Sequence, residues 1–248
     1  MIDKALYVAM TGASASLKAQ ASVAHNLANA DTVGFQATLS GTVAAPVTGP
    51  GFASRVAASF QTLGVSNARG DVINTDNPLD VALNPDRWLA VQASDGSTAY
   101  TRAGDLKLNA NGMLTTNSGL PVLDSGGAPL SLPPFQTVNI AGDGTISIVP
   151  QGQPPSTITE AGRLNIVAAP AREMVRGDDG LMRAAPGTEP VAATGNALST
   201  GALEGSNVEA TSMLVQMIEH ARAFEMQVRV LQSGDENARS SNTLLSSR

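Results

Sequence analysis

Two histidines, two Arg-Gly-Asp triplets, two pairs of adjacent carboxylates and one Trp/Tyr/Arg grouping are the side chains of this sequence whose types and spacing could do chemistry. His25 and His220 stand far apart and cysteine is absent, so neither a thiolate site nor an imidazole cluster of metal-ligand spacing can be built from sequence neighbours. Both histidines read as helix-surface or packing residues. Asp178-Asp179 and Asp235-Glu236 would supply an acid and a base for glycan hydrolysis only if the fold separated them suitably in space. Adjacent acids on a turn or helix read first as solvated charge. Arg69-Gly70-Asp71 and Arg176-Gly177-Asp178 have the form of adhesion triplets, yet Gly-Asp pairs are favoured in turns for conformational reasons alone. Trp88, Tyr100 and Arg102 could stack on a sugar, but with no other aromatics near them in sequence they read better as a core Trp and a sheet-face Tyr. Neither G-x-S-x-G nor a P-loop occurs, and Gly142-Asp143-Gly144 reads as a hairpin turn. The expectation is a protein that is no enzyme and carries no cofactor or metal, with a peptidoglycan hydrolase and an RGD-type adhesin as weaker alternatives.

The elements that would position these residues differ between the ends and the middle. Small or apolar residues recur at Leu6, Met10, Ala13, Leu17, Ala24 and Leu27, and again at Leu214, Met217, Ala221, Phe224, Val228, Leu231, Ala238 and Leu245. Steps of three and four are the spacing of a coiled-coil seam, and they predict helices over 3–29 and 208–246. Asp3 is a candidate N-cap for the first helix, and Ser206 or Asn207 for the second. Asp235 and Asn242 occupy seam positions where an apolar residue is expected. All 14 prolines lie from Pro46 to Pro190. Between 77 and 200, short apolar runs around Trp88–Val91, Ala99–Thr101, Leu106–Leu108, Met113–Thr115, Val122-Leu123, Val138–Ile140, Ile146–Ile148 and Leu164–Val167 alternate with turn signals. Asp95-Gly96, Asn111-Gly112, Asp143-Gly144 and Asp179-Gly180 are the pairs that supply positive φ to hairpin turns. Residues 36–76 are low in charge and rich in small residues, and read as an extended connector.

Composition narrows the function classes. A formal charge of −6, with 15 scattered basic residues, argues against nucleic acid as a partner. No run of 18 apolar residues occurs, so no membrane insertion is expected. Ser, Lys, Gln, His and Asn interrupt the first 29 residues, which predicts no cleavable signal peptide. Much of the N-terminal stripe is alanine, so an isolated helix there gains little from burial and calls for contacts from elsewhere in the chain or from other subunits.

Three blocks carry a resemblance. Asn26-Leu27-Ala28-Asn29 with Thr32, Gly34 and Phe35 resembles the N-terminal signature of the flagellar rod and hook proteins. Leu79-Asp80-Val81-Ala82-Leu83, Trp88–Val91 and Tyr100-Thr101-Arg102-Ala103-Gly104 are similar to the start of that family's β-domain. Leu203-Glu204-Gly205-Ser206-Asn207-Val208, then Met217-Ile218 and Arg222-Ala223-Phe224-Glu225, resemble its C-terminal helix. His25 stands where the family usually has Asn, and Leu83 where Ile is common. The opening Ala5–Ala13 and the stretches Gly162-Arg163-Leu164 and Arg176–Leu181 look most like a proximal-rod member, a distal-rod member or another axial protein being the alternative.

The resemblance implies a structural subunit of the bacterial flagellar basal-body rod that polymerises through paired terminal helices, transmits torque and supports motility. It implies copies of the chain and other proximal and distal rod proteins as partners. Export through the flagellar type III apparatus and a place in the periplasmic part of the rod are implied as well. The fold expected is α+β, a two-helix coiled-coil domain formed by the termini with an inserted all-β domain of short antiparallel strands. Its boundaries are 1–35 for the first helix and Asn-rich turn, 36–76 for the connector, 77–202 for the β-rich domain and 203–248 for the second helix. Leu6, Met10, Leu17, Leu27, Leu214, Met217, Phe224, Val228 and Leu231 are expected to carry assembly packing. Asn26, Asn29, Gly34 and Phe35 are expected to shape the join, and Leu203 and Asn207 to serve the assembly interface. Phe35 would plug a neighbouring subunit or fill a local core, and Glu204, Arg222 and Glu225 would form ion pairs between subunits.

Overall fold

A computed structural model describes residues 2–47 and 56–246, and for residues 2–5, 238 and 241–246 it describes the backbone. Gly49, Pro50 and Gly51 of the expected connector lie outside the described residues, as do the side chains of Asp3, Ala238, Asn242 and Leu245. The chain divides into two units, one drawn from 1–28, 38–63 and 209–248 and the other from 29–37 and 64–208.

The first unit contains α1 (Ile2–Ala28), β1 (Thr38–Pro46), β2 (Val56–Val65, whose last two residues belong to the other unit) and, at the far end of the sequence, α2 (Ala210–Ser246). Gly12 faces Gln227, while Leu6, nearer the N-terminus, faces Gly234 further along α2, so the two helices run antiparallel. Glycine suits both crossings: a Cβ would sit 3.0 Å from Gln227 Cδ at Gly12 and 2.8 Å from Leu6 Cδ2 at Gly234. The buried face of α1 is made of Ala9, Ala13, Ala15, Ala19 and Val23, small side chains that let helix axes approach closely. On α2 the half-buried positions Met213, Met217, His220, Phe224, Gln227, Leu231 and Gly234 alternate by four and three, the antiparallel counterpart of that face. Ala13→Leu would force a larger side chain into this alanine layer and is expected to destabilise the helix pair by about 1–3 kcal/mol, read from urea denaturation of associated subunits followed by far-UV circular dichroism.

Two expectations change here. Residues 38–46 and 56–65, taken as connector, form the two-stranded sheet of β1 and β2. Asp235 lies outside the seam, where Gly234 takes the inward place; Asp235 is exposed and pairs with Arg239 at 2.8 Å.

The second unit is the β-rich one. It begins with β3 (Val72–Asn74), β4 (Val81–Leu83), β5 (Arg87–Gln92), β6 (Thr98–Thr101), β7 (Leu106–Leu108) and β8 (Leu114–Thr116). β9 (Phe135–Ile140), β10 (Thr145–Pro150), β11 (Thr159–Arg163) and β12 (Ile166–Ala168) follow. The last are β13 (Met174–Arg176), β14 (Met182–Ala184), β15 (Val191–Ala192), β16 (Leu198–Thr200) and β17 (Ala202–Glu204). The largest sheet has the order β13-β14-β6-β5-β12-β15, and β11-β10-β9 form a second. β4 pairs with β16, β3 with β17 and β7 with β8, every described pairing being antiparallel. The Asn/Asp-Gly turns are where the sequence places them: Gly96, Gly112, Gly144 and Gly180 all have positive φ.

β5 is buried on both faces and explains the two cores. Leu89 and Val91 point into a cluster with Leu83, Leu106, Leu114, Ile140, Ile146, Leu164 and Leu198. Trp88, on the opposite face, packs with Val65, Val167, Ala169, Met174 and Met182, with Tyr100 against them. The fold is therefore α+β, with a region of short antiparallel strands inserted between two terminal helices. Residues 29–35 and 203–208, expected with the helices, belong instead to the β-rich unit, because Leu203 and Glu204 pair with Ile73 and Val72 in the β17–β3 ladder and Gly34 donates to the Glu204 carbonyl.

Candidate functional site

Within the helical unit, the large apolar residues of the expected seam do not all face the helix pair. Met10 is 60% exposed, Leu17 48% and Leu214 49%, whereas Leu6, Leu27, Met217, Phe224, Val228 and Leu231 are half-buried. The alanines between them take the inner positions because only small residues fit the close helix approach. Tyr7, Met10 and Leu17 are exposed within about 80° of one another on α1, centred roughly 150° around the helix from the middle of its buried face at 100° per residue, Leu17 lying nearest to it. Leu214, Val215, Ile218, Met226 and Val230 form a second exposed stripe on α2, roughly 160° from its inner seam. Arg222 and Glu225 are exposed on the same helix. Exposed apolar stripes on both helices of a pair are a surface made for partners rather than for water.

Asn26 serves the same unit in a different way. It is buried, and its side-chain amide bonds both ways with the backbone of Thr38, Nδ2 donating to the carbonyl and Oδ1 accepting the N–H, each at 2.9 Å. The amide acts as a short strand that fixes the start of β1 against α1.

The join residues meet within the β-rich unit. Asn29 ends the helical run and accepts Thr32 Oγ1 at 3.1 Å through its side chain. Gly34 turns the chain at φ +68 and donates its N–H to the Glu204 carbonyl at 2.8 Å. A Cβ at Gly34 would lie 2.3 Å from the backbone of Arg102, so glycine answers both the turn and the crossing. Phe35 is buried beneath the Arg176 guanidinium, 4.4 Å from ring centroid to Cζ, and Arg176 Nη2 donates to the Gln36 carbonyl. Of the two roles weighed for Phe35, the structure places it in the local core. Asn207 does not cap α2. Its Oδ1 accepts the Ala37 N–H at 2.6 Å and its Nδ2 donates to the Ala68 carbonyl at 2.8 Å.

Glu204 is the largest departure from the sequence expectation. It is fully buried, and its carboxylate takes Arg102 Nε at 3.1 Å, Arg102 Nη2 and the Gly70 N–H at 3.3 Å, all within its own chain. An ion pair with another subunit is thereby replaced by one with Arg102. The guanidinium is satisfied throughout: its other three donors reach the carbonyls of Leu83 at 3.1 Å, Arg87 at 2.9 Å and Asn84 at 3.3 Å. It also lies 5.6 Å from the Trp88 ring centroid. Removing one partner of such a buried pair typically costs 3–5 kcal/mol, so about that loss is expected for Glu204→Ala in a denaturation experiment.

The groups with chemical potential are structural in this arrangement. Trp88 is buried with its indole N–H on the Ala169 carbonyl at 2.9 Å, so Trp88, Tyr100 and Arg102 make no open sugar platform. Arg69-Gly70-Asp71 is built into the join, since Gly70 binds Glu204 and the Asp71 carbonyl accepts the Gly205 N–H at 2.8 Å. Asp179 is held well below the usual carboxylate range by its bonds from Arg183. No cluster of three potential metal ligands occurs among the described residues.

Asp105 is perturbed the other way. Burial pushes its carboxyl above the ordinary 3.8, and the facing Asp80 adds to the shift. Its proton is therefore held more tightly folded than unfolded, so stability is highest below about pH 4 from this group and is lost as pH rises through the folded value. Asp105→Asn is expected to raise the melting temperature at neutral pH and to leave it unchanged at acid pH, as differential scanning fluorimetry across pH would register.

Comparison with known proteins follows the same geography. Residues 6–36 match the family model described as flagella basal body rod protein. Residues 82–148 match that of the flagellar hook protein FlgE/F/G D1 domain, and residues 199–244 that of the flagellar basal body rod FlgEFG protein C-terminal. The chain is 43% identical to flagellar basal-body rod protein FlgF of Salmonella typhimurium and to that of Escherichia coli, each over 99% of both chains. It is 34% identical to flagellar basal-body rod protein FlgG of Buchnera aphidicola over 68% of this chain and 66% of the relative.

Proposed function

The chain belongs to the flagellar basal-body rod protein family, and from that premise we propose that it builds the proximal part of the rod through the outer faces of its two terminal helices. It is a structural subunit of the rod, and it assembles with other rod components. In the proposed arrangement the inner alanine layer and the α2 seam hold the subunit's own helices together. The outer stripes, Tyr7, Met10 and Leu17 on α1 and Leu214, Val215, Ile218, Met226 and Val230 on α2, pack on copies of the chain and on its rod neighbours. Arg222 and Glu225, exposed on the same side of α2, supply polar contacts that add specificity more than strength.

One observation carries this reading: both helices bear large apolar side chains that their own pairing leaves exposed. A side chain already half covered gains roughly 1 kcal/mol on losing the rest of its exposure, and eight such positions repeated at every subunit give a filament its cohesion. The subunit's role is to transmit torque along the rod, with no catalytic step assigned to it. Its proposed location is the periplasmic part of the basal body, reached through the flagellar type III export apparatus. No described helix is long and apolar enough to cross a membrane.

The test is concentration dependence. Dilute monomer is expected to show much less helix by far-UV circular dichroism than the lengths of α1 and α2 imply, with helix rising as subunits polymerise. Full helicity in the dilute monomer, with no tendency to associate, would falsify the assembly reading.

A further inference from the structure

The Glu204 carboxylate joins backbone that the sequence keeps far apart, and its partners are too specific for a pair that merely fills a core. Gly34 donates to the carbonyl of residue 204, Gly70 to its carboxylate, and Gly205 to Asp71, while Asn207 receives the Ala37 N–H and donates its own N–H to Phe35. Residues 34–37 belong to the first stretch of the chain in the β-rich unit, which the chain re-enters at Gly64, and residues 204–207 are where it finally leaves it. Both are stitched to each other and to residues 68–71, and the stitching closes on one guanidinium whose remaining donors grip the Leu83–Arg87 turn.

We propose that Glu204 and Arg102 are positioning residues for assembly, fixing the register in which the two ends of the β-rich unit are held together. This goes beyond the reading of the chain as a rod subunit but rests on it for its consequence in the cell. The carboxylate sets the register because a single group accepts from both Arg102 and Gly70, while its own backbone accepts from Gly34. Arg102 sets the place of the carboxylate, because a planar fork with all five donors engaged tolerates one orientation. Register is then a property of the C-terminal segment: until residue 204 is in place, Gly34 and Gly70 have no acceptor and residues 34–37 stay loose.

A stability role and a positioning role separate in the double variant Arg102→Met with Glu204→Leu, tested in the full-length chain. Apolar replacement of a buried ion pair is often neutral or stabilising, so the urea midpoint is expected to return to the wild-type value after falling in Glu204→Gln. Hydrogen exchange at the amides of Gly34, Ala37 and Gly70 is expected to stay at least tenfold faster than wild type in both variants, while Leu89 and Ala90 are restored in the double one. Arg102→Lys keeps the charge without the fork and is expected to behave as Glu204→Gln does. In a strain lacking the native subunit, the double variant is expected to restore swimming at less than a tenth of the wild-type rate. Wild-type exchange at Gly34, Ala37 and Gly70 in the double variant would overturn the proposal, as would normal swimming with those amides loosened. Failure of the unmutated chain to restore swimming would count against the rod reading instead, and the exchange result would still decide the positioning role.

Discussion

Leu17→Asp is expected to give a folded subunit that leaves the cell in normal amounts, and cells that do not swim. Leu17 is 48% exposed in the subunit, although it lies one helical turn from Ala13 of the alanine layer. An aspartate there costs the isolated helix only about 0.7 kcal/mol in propensity. In the proposed filament the same position would be covered, and an unpaired carboxylate buried against apolar neighbours costs several kcal/mol at every subunit. A swimming assay in a strain lacking the native subunit reads the loss, and circular dichroism of the purified variant against wild type confirms that the fold is kept. Leu17→Ala is expected to weaken swimming without abolishing it. Normal motility in Leu17→Asp would place the outer stripe outside the rod contacts and remove the main support for the assembly reading.

Gly104→Ala carries the second large effect, and it strikes the fold rather than the assembly. Gly104 is bound to β4 through its backbone, accepting the Val81 N–H at 2.9 Å, and a Cβ there would come 1.7 Å from the Val81 carbonyl oxygen. No side chain can move aside to relieve a clash with backbone, and β4 is buried on every residue. A loss of more than about 3 kcal/mol is expected, enough to unfold a substantial fraction of a marginally stable domain. Gly96→Ala is the control. Gly96 has φ +81 and open space within 4 Å of where an added methyl would sit, so strain alone applies, about 1–2 kcal/mol. Urea midpoints of the two variants, measured side by side, distinguish crossing from conformation; equal midpoints would contradict the close approach.

What could be read from the residues follows from the range over which the governing interactions act. Helix length and the turn positions are local, and the three-and-four spacing and the Asn/Asp-Gly pairs report them well. The inner face of α1 is not local. Reading the largest apolar residues as the seam puts Met10 and Leu17 inside, where the close approach of α2 leaves room only for Ala9, Ala13, Ala15 and Ala19. The signal was present as alanines four apart, but small residues score weakly on hydrophobicity. β1 and β2 were missed for a similar reason, since Thr38–Pro46 alternates small and weakly apolar residues within a stretch of low charge.

Glu204 is the instructive failure. On sequence it is a carboxylate beside a helix start, and an exposed role follows from its type. Its partner Arg102 is 102 positions away, and nothing short of the fold brings them together. The family blocks did contain the clue, since Gly34, Arg102 and Glu204 lie in three separate motifs that meet at one place. The residues expected to serve assembly thus divide in three: exposed positions such as Met10, Leu17 and Leu214, half-buried helix positions such as Met217, Phe224 and Leu231, and join residues that act inside their own unit.

The exposed apolar side chains of α1 and α2 have a consequence for how the purified protein behaves with temperature. Attraction between apolar surfaces weakens on cooling. Solutions kept on ice should hold dispersed subunits at concentrations that turn cloudy or fibrous when brought to room temperature, and chilling again should clear them. A reversible turbidity cycle of this kind would be the bench-top signature of stripes that the lone molecule leaves bare.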